Sequence, residues 1–196
     1  MFTGIIQDIG SIKLVNEGLY EVNTNLNLND IKKGSSISCN GVCLTAIEIK
    51  KNNDETFSFK VNIGEETLTR TNLGKVISNN LKINLEKSLK IGDEISGHLV
   101  YGHVDTITNV KDVIELNNSW EYYFEKNFNK NNKFISEKAS ISINGISLTI
   151  ANIDTDFFKV SVIEHTYKNT NLKYLKVNDQ VNIEFDYLAR FILNDR

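Results

Sequence analysis

The sequence predicts an all-β protein made of two homologous domains in tandem. Its 196 residues are enough for two domains of about 100 residues each. Short blocks of sequence recur in the same order in both halves of the chain. Between Gly, Asn and Asp residues, short segments alternate or cluster Ile, Val, Phe and Thr, which is typical of β-strands.

The recurring blocks define the two halves. The pattern Asn-Gly-x-x-Leu-Thr occurs at residues 40–45 and, 104 positions later, at residues 144–149. Further blocks match in chain order with it: residues 36–38 with 140–142, residues 67–73 with 166–172, and residues 83–86 with 181–184. Because the offset falls only from 104 to 98 over the whole unit, the repeat indicates two related domains. We place them at residues 1–97 and 98–186.

Each domain is expected to be a small closed barrel or a sandwich, because several short strands within roughly 95 residues are typical of those folds. The strand-like segments cover residues 36–49, 56–63, 140–153 and 159–163. Short helical turns are expected after Thr67 and Thr166, with these threonines as caps.

The C-terminal residues 187–196 are expected to form a short amphipathic helix. Leu188, Phe191 and Ile192 fall at positions i, i+3 and i+4, which gives the helix a single apolar stripe. Two closed barrels leave little for this stripe to cover, so we expect it to contact another subunit.

Composition and charge exclude several classes of protein. Hydrophobic residues make up 40% of the chain and charged residues 24%, as in ordinary globular proteins. A net charge of −3 argues against nucleic-acid binding, which needs clustered Lys and Arg. Only Cys39 and Cys43 are cysteines, too few for the disulfide framework of a secreted domain. With no basic leader and no membrane-length apolar run, the sequence indicates a soluble cytoplasmic protein that does not bind membranes.

The repeat also places small polar side chains at matching positions. The matched pairs are Ser36 and Ser140, Asn40 and Asn144, Cys43 and Ser147, Thr45 and Thr149, and Thr67 and Thr166. In a strand, positions 43 and 45 point to one face, and so do 147 and 149. A pocket lined by such groups suits a flat heterocycle with a polyhydroxylated tail. The alternative is that the Asn-Gly pairs are hairpin turns and the threonines are ordinary strand residues.

The string GHLVYGHVD at residues 97–105 is the most distinctive in the chain. Its glycines allow the backbone to approach a ligand closely, and His98 or His103 could transfer protons near neutral pH. Two alternatives are a histidine that only packs at the domain junction and a metal site that combines both histidines with Cys39 and Cys43. The spacing fits a zinc template weakly.

These motifs resemble riboflavin synthase of the trimeric α-chain type. The resemblance rests on MFTGII at residues 1–6, NGVCLT at 40–45, ETL at 66–68, TNLG at 71–74, GHLVYGHVD at 97–105 and NGISLT at 144–149. It extends over essentially the whole chain. It implies two six-stranded Greek-key barrels and a C-terminal helix that holds a homotrimer together.

The resemblance also implies an activity that needs no cofactor or metal. Two molecules of 6,7-dimethyl-8-ribityllumazine exchange a four-carbon unit, which gives riboflavin and 5-amino-6-(ribitylamino)uracil. The site would form between the N-terminal barrel of one subunit and the C-terminal barrel of its neighbour, with two lumazines in each site. Association with lumazine synthase is a further expectation.

The resemblance transfers site residues position by position. The positions at which the family is catalytically sensitive are Phe2, Cys43, His98, His103, Ser147 and Asp186. The first lumazine would contact Gly4, Ile5, Ile6, Ser36, Cys43, Leu44, Thr45, Asn62, Ile63, Gly64, Glu65, Glu66 and Thr67, with His103 from across the barrels. The second would contact Gly102, His103, Val104, Lys138, Ser147, Leu148, Thr149, Ile163, Glu164, His165, Thr166, Tyr167 and Lys168. The chain departs from the family pattern at Ser96 and at Tyr101, which is bulkier than the usual residue.

The chemical roles stay open at this point. The C7 methyl of the lumazine is acidic, so a modest base suffices, and His103 or a nearby thiolate or hydroxyl could assist. Cys43, Ser147 and Ser36 are candidates for adding to C7 of the acceptor. Two other functions are a non-catalytic lumazine- or flavin-binding antenna protein of the same fold and an oligonucleotide-binding barrel, which the acidic composition disfavours.

Overall fold

The computed structural model describes residues 1–53 and 55–194. Within these residues, the first half forms one antiparallel sheet with two short helices: β1 (Asp8–Asn16), β2 (Leu19–Thr24), β3 (Ser36–Cys39), β4 (Val42–Thr45), β5 (Glu48–Lys51), β6 (Phe57–Asn62), α1 (Glu65–Arg70), α2 (Leu73–Ser78) and β7 (Lys82–Lys87). The order of strands in this sheet is β4-β3-β7-β1-β2-β6-β5.

The second half is a closed barrel in the order β10-β11-β12-β9-β8-β13. Its elements are β8 (Thr106–Glu115), β9 (Ser119–Glu125), a 3₁₀ helix (Asn129–Phe134), β10 (Ser140–Ile143), β11 (Ile146–Ile153), β12 (Phe157–Ile163), α3 (Glu164–Asn169), a second 3₁₀ helix (Asn171–Tyr174), β13 (Gln180–Phe185) and α4 (Tyr187–Asn194). The strand order is the same in both halves if β4 and β5 together correspond to β11.

The two halves differ where that strand changes partner. In the first half, Ala46 bonds to residues 34 and 35 beside β3, and the next residue, Ile47, donates to Lys60 of β6. In the second half, Ile150 bonds to residues 138 and 139, and a bulge follows before Asn152. The bulge keeps β11 continuous, whereas the first half has two strands. The prediction of an all-β chain with two related barrel-like domains is confirmed: the second is a closed six-stranded barrel, and the first is a seven-stranded sheet in which one strand is divided.

Each half has its own apolar core, because alternate residues of its strands point inwards. The first core is built around Tyr20, Phe59 and Leu85, and the second around Phe124 and Phe158. The alternation of buried and exposed residues in β2 and β12 follows the predicted period of two.

The helices begin earlier than the sequence predicts. Thr67 and Thr166 lie inside α1 and α3, whose N-caps are Gly64 and Ile163. The prediction that these threonines are caps is therefore wrong. α3 starts directly after β12, while two residues separate α1 from β6, and acidic residues in the first turn of each helix favour that start.

The hairpin interpretation of the Asn-Gly pairs is confirmed. Asn40 and Gly41 have φ angles of 54° and 79°, and Asn144 and Gly145 have 48° and 81°. Both pairs join consecutive strands, as type I′ turns do. The two turns also meet, because a Cβ on Gly41 would lie 2.6 Å from the backbone nitrogen of Gly145.

Asparagine side chains join the two halves at this meeting point. Asn72 Nδ2 donates to Asn144 Oδ1 over 3.1 Å, and Asn171 Nδ2 donates to Asn40 Oδ1 over 3.0 Å. Asn84 and Asn182 donate to the main-chain oxygens of Asn144 and Asn40. Matched pairs from the repeat therefore fix the orientation of one barrel against the other. Among the described residues, Asn144 Nδ2 is buried at this junction without a hydrogen-bond partner.

The helix α4 covers the second barrel with one side only. Ala189 and Leu193 pack against the second core, while Leu188, Phe191 and Ile192 are between 60% and 65% exposed. The last two residues of the predicted helix, 195 and 196, lie outside the described residues. Among the residues described, no helix is long and apolar enough to span a membrane.

Candidate active site

Two segments outside the barrels organise the candidate site. We call residues 1–6 the N-terminal segment and residues 97–105 the linker segment. They run antiparallel: Phe2 N donates to Val100 O over 2.6 Å, and Val100 N donates to Phe2 O over 3.0 Å. Phe2 is completely buried, so its ring anchors the chain terminus at the junction.

Each segment packs against the opposite barrel. Ser147 N in β11 donates to Gly4 O over 2.8 Å, and Cys43 N in β4 donates to Gly102 O over 2.9 Å. Ile6 likewise packs against the second core and Val104 against the first. The two half-sites are thus a Cys43 half-site on the first barrel, completed by the linker segment, and a Ser147 half-site on the second, completed by the N-terminal segment.

This grouping differs from the expected one, which put Gly4 with Cys43 and Gly102 with Ser147. The reason is that the two segments cross at Phe2 and Val100. After the crossing, the N-terminal segment contacts the second barrel before β1 begins, and the linker segment contacts the first barrel before β8 begins. His103 therefore belongs to the segment at the Cys43 half-site.

Glycine is required where the segments touch the strands. Gly4 and Gly102 have φ angles of 76° and 78°. A Cβ on Gly4 would lie 2.5 Å from Ser147 N, and one on Gly102 would lie 2.6 Å from Cys43 Cβ. Any other residue at these two positions would be costly, because the backbone has a positive φ and there is no space for a Cβ.

Two buried glutamates hold the segments in place. Glu184 of β13 accepts hydrogen bonds from the backbone nitrogens of Tyr101, Gly102 and His103 over 2.7, 2.9 and 3.0 Å. Glu86 of β7 accepts from the nitrogens of Thr3 and Gly4 and from the Thr3 hydroxyl. Burial raises the pKa of both carboxyls, although the hydrogen bonds from these backbone amides act against it.

The sequence analysis missed both glutamates as functional residues. The available signal was the repeat itself, because each ends a matching block at residues 83–86 and 181–184. A carboxylate at the same place in both matching blocks is unusual, since buried acids are rare and need partners.

The Ser147 half-site contains a serine–histidine pair. Ser147 Oγ lies 2.7 Å from Nδ1 of His98, which comes from the linker segment. Burial lowers the pKa of His98, and the nearby Asp186 carboxylate partly offsets this effect. The lowered pKa favours the neutral imidazole, the form in which a ring nitrogen of His98 can accept the serine proton.

The outward faces of the two hairpins carry the other predicted contacts. Leu44 and Leu148 point into the cores, so Cys43, Thr45 and their counterparts Ser147 and Thr149 point outwards. Ser36 pairs with Thr45 across the β3–β4 hairpin and is half-buried. The expectation that these positions share a face is confirmed.

The remaining predicted contacts surround these hairpins. Residues 62–67 and 163–168 continue from β6 and β12 into α1 and α3, and most of their side chains are exposed. Ile63 is an exception and belongs to the first core. Ile5 and Lys138 are exposed, and Tyr167 stacks on Trp120 with the ring centroids 3.8 Å apart.

The four candidate metal ligands do not gather in one place. Cys39 lies in the first core, and burial raises its pKa, whereas Cys43 is on the outward face. His98 pairs with Ser147 on the other barrel. Across the described part of the chain, no three His, Cys, Asp or Glu side chains form a group that could hold a metal ion.

Comparison with known proteins decides the family. The lumazine binding domain family matches residues 3–88 and 101–186. The riboflavin synthase of Brucella abortus is 38% identical over 97% of this chain and 96% of its own length. The chain belongs to the riboflavin synthase family. The enzymes of that name from Actinobacillus pleuropneumoniae and Saccharomyces cerevisiae are 37% and 36% identical, each over 98% of this chain and over 88% and 84% of their own lengths.

Solved structures agree with the fold of this riboflavin synthase family member. LumP complexed with riboflavin superposes with a TM-score of 0.76 at 23% identity, over 94% of this chain and 99% of that one. LumP complexed with 6,7-dimethyl-8-(1'-D-ribityl) lumazine gives 0.74 at 23% identity, with 94% and 98% covered. At this identity, the likeness supports the tandem-barrel architecture.

Proposed function

We propose that the chain is a riboflavin synthase, a transferase that converts two molecules of 6,7-dimethyl-8-ribityllumazine into riboflavin and 5-amino-6-(ribitylamino)uracil. The observation that carries the proposal is the full-length similarity to riboflavin synthases, at up to 38% identity. The four carbons that one lumazine loses are those that the other gains. The reaction therefore balances without an oxidant, a reductant or a cofactor.

Two matched but unlike half-sites suit this reaction. The substrate molecules are identical, but one donates carbon atoms and the other accepts them. A thiol at position 43 and a serine–histidine pair at positions 147 and 98 offer the two molecules different chemical environments. Holding both in fixed orientation makes a bimolecular step effectively unimolecular, which can supply most of the catalysis.

We assign the acceptor lumazine to the Ser147 half-site. Neutral His98 can take the proton of Ser147 as its oxygen adds to C7 of the acceptor ring, and the Asp186 carboxylate favours the imidazolium that results. The donor lumazine then belongs to the Cys43 half-site, where His103 of the linker segment is the base for its C7 methyl. Phe2 acts at a distance from the chemistry, because its buried ring sets the position of the N-terminal segment.

The half-sites are completed by assembly. We propose a homotrimer in which the Cys43 half-site of one subunit faces the Ser147 half-site of the next, with one lumazine in each. The exposed stripe of Leu188, Phe191 and Ile192 on α4 supplies an apolar surface for the contact. The cytoplasm is the proposed location, since Cys39 and Cys43 are both free. Association with lumazine synthase rests on the family resemblance alone.

The test is to mix the purified protein with the lumazine and to follow riboflavin by its absorbance, while lumazine binding is followed separately by fluorescence. We expect binding and turnover. Binding without riboflavin would instead identify an antenna-type binding protein, an alternative that the higher identity to riboflavin synthases than to LumP disfavours. No binding would refute both functions.

A further inference from the structure

An aromatic chain runs from the linker segment to α4. The rings of Tyr101 and Tyr187 have centroids 4.6 Å apart at an interplanar angle of 39°. Tyr187 in turn meets Phe191 edge-on, with centroids 5.0 Å apart and an angle of 74°. Phe191 is one of the exposed residues of the apolar stripe, so the chain begins at the surface proposed for subunit contact.

The other end of the chain reaches His103. The ring of Tyr101 lies 6.2 Å from that of His103, with both on one short stretch of the linker segment. Glu184 fixes the backbone of this stretch, but it makes no described contact with either ring. Among the described contacts, those that the Tyr101 and His103 side chains make are ring contacts. Tyr187 and His103 also line the same cavity of about 200 Å³.

The helix is itself docked on the linker segment. Arg190 forms an ion pair with Asp105, and its guanidinium lies 5.5 Å from the ring centroid of Phe134. The same Asp105 carboxylate accepts from Phe185 N over 2.9 Å. Any shift of α4 therefore moves groups on both sides of His103.

We propose that Tyr101 is a positioning residue: its ring, packed on Tyr187, transmits the docking of α4 to the side chain of His103. The inference rests on the proposed function of His103 as a base at the Cys43 half-site. It gives a role to a tyrosine at a position where the chain departs from the family pattern. Assembly through α4 and activity at the Cys43 half-site are thereby coupled.

The test is a double-mutant cycle on riboflavin formation with Tyr101→Leu, Tyr187→Leu and the double variant. We expect each single variant to lower kcat two- to tenfold, the range of an aromatic pair contact, with KM within twofold. The double variant should fall no further than about twofold below the lower single variant, because both remove the same contact. Tyr101→Phe keeps the ring and should restore wild-type kcat.

Histidine resonances in NMR spectra give a readout that does not depend on turnover. Spectra of His103→Gln assign the ring signals of His103. We expect these signals to move in Tyr101→Leu and Tyr187→Leu and to stay in place in Tyr101→Phe. The matched control is Tyr174→Leu, which removes an exposed tyrosine from the 3₁₀ helix Asn171–Tyr174 and should change neither kcat nor the signals.

The outcomes separate this inference from the proposed function. Absence of riboflavin with the wild-type protein refutes the function, and the His103 signals alone then decide the positioning role. Wild-type kcat and unmoved His103 signals in Tyr101→Leu would overturn the inference. So would a double variant whose loss of kcat equals the product of the losses in the two single variants. If Tyr187→Leu does not assemble, Tyr101→Leu, which leaves α4 unchanged, gives the decision.

Discussion

Replacing Gly102 by alanine tests the contact on which the Cys43 half-site depends. The φ angle of 78° strains a non-glycine residue by about 1–2 kcal/mol. The added Cβ would also lie 2.6 Å from Cys43 Cβ and 2.7 Å from Cys43 N. Neither strand nor segment can move freely, because Glu184 holds the segment, so overpacking adds about 1–3 kcal/mol. We expect Gly102→Ala to lose about 2–5 kcal/mol of unfolding free energy.

Two other glycines separate strain from crowding. Gly18 has a φ angle of 70° with nothing within 4 Å of an added Cβ, so Gly18→Ala should lose only the strain of about 1–2 kcal/mol. Gly64 has open space and no positive φ, so Gly64→Ala should lose only the preference of the α1 N-cap for glycine over alanine, about 1 kcal/mol or less. Urea unfolding of the three variants measures the differences. Equal stabilities of Gly102→Ala and Gly18→Ala would show that the linker segment does not touch Cys43 as described.

Three further predictions concern the site, the helix and metals. Because burial lowers the pKa of His98, the unfolded chain binds more protons than the folded one below about pH 6.5, and the free energy of unfolding should fall as the pH drops through that range. His98→Gln should make this fall smaller, as measured by urea unfolding from about pH 8 to 5. An equal fall in both proteins would contradict this. Deleting residues 187–196 should give monomers with little activity, and a truncated protein that still sediments as a trimer would refute the assignment of α4 to the interface. Exhaustive chelation should leave turnover unchanged, whereas a loss that Zn²⁺ restores would contradict the cofactor-free mechanism.

The sequence predicted the architecture well because the repeat and the strand pattern are local signals. The turn at Asn40 and Gly41 follows from residue types that accept positive φ. The crossing of the two segments could not be predicted, because the match between Gly4 and Gly102 says nothing about which barrel each packs against. That choice depends on the buried Phe2 and on a bridge to Val100, a contact 98 positions away in sequence.

The candidate site was predicted in residue types rather than in pairings. Ser147 and His98 were both named, but their hydrogen bond depends on the first residues of the linker segment lying against the second barrel, before the segment crosses to the first barrel. Glu184 was missed because the repeat marks it only as a matched residue and does not show that it accepts hydrogen bonds from backbone nitrogens. The stack of Trp120 on Tyr167 has no counterpart in the repeat and needed the structure to be seen.

The central claim is that the two half-sites together convert two lumazines into two different products. It is tested most directly by the product stoichiometry of the purified protein in the presence of a chelator and without any added cofactor. The account predicts that one riboflavin and one 5-amino-6-(ribitylamino)uracil appear for every two lumazines consumed. Lumazine that is bound but recovered unchanged, or riboflavin formed without an equal amount of the uracil, would contradict it.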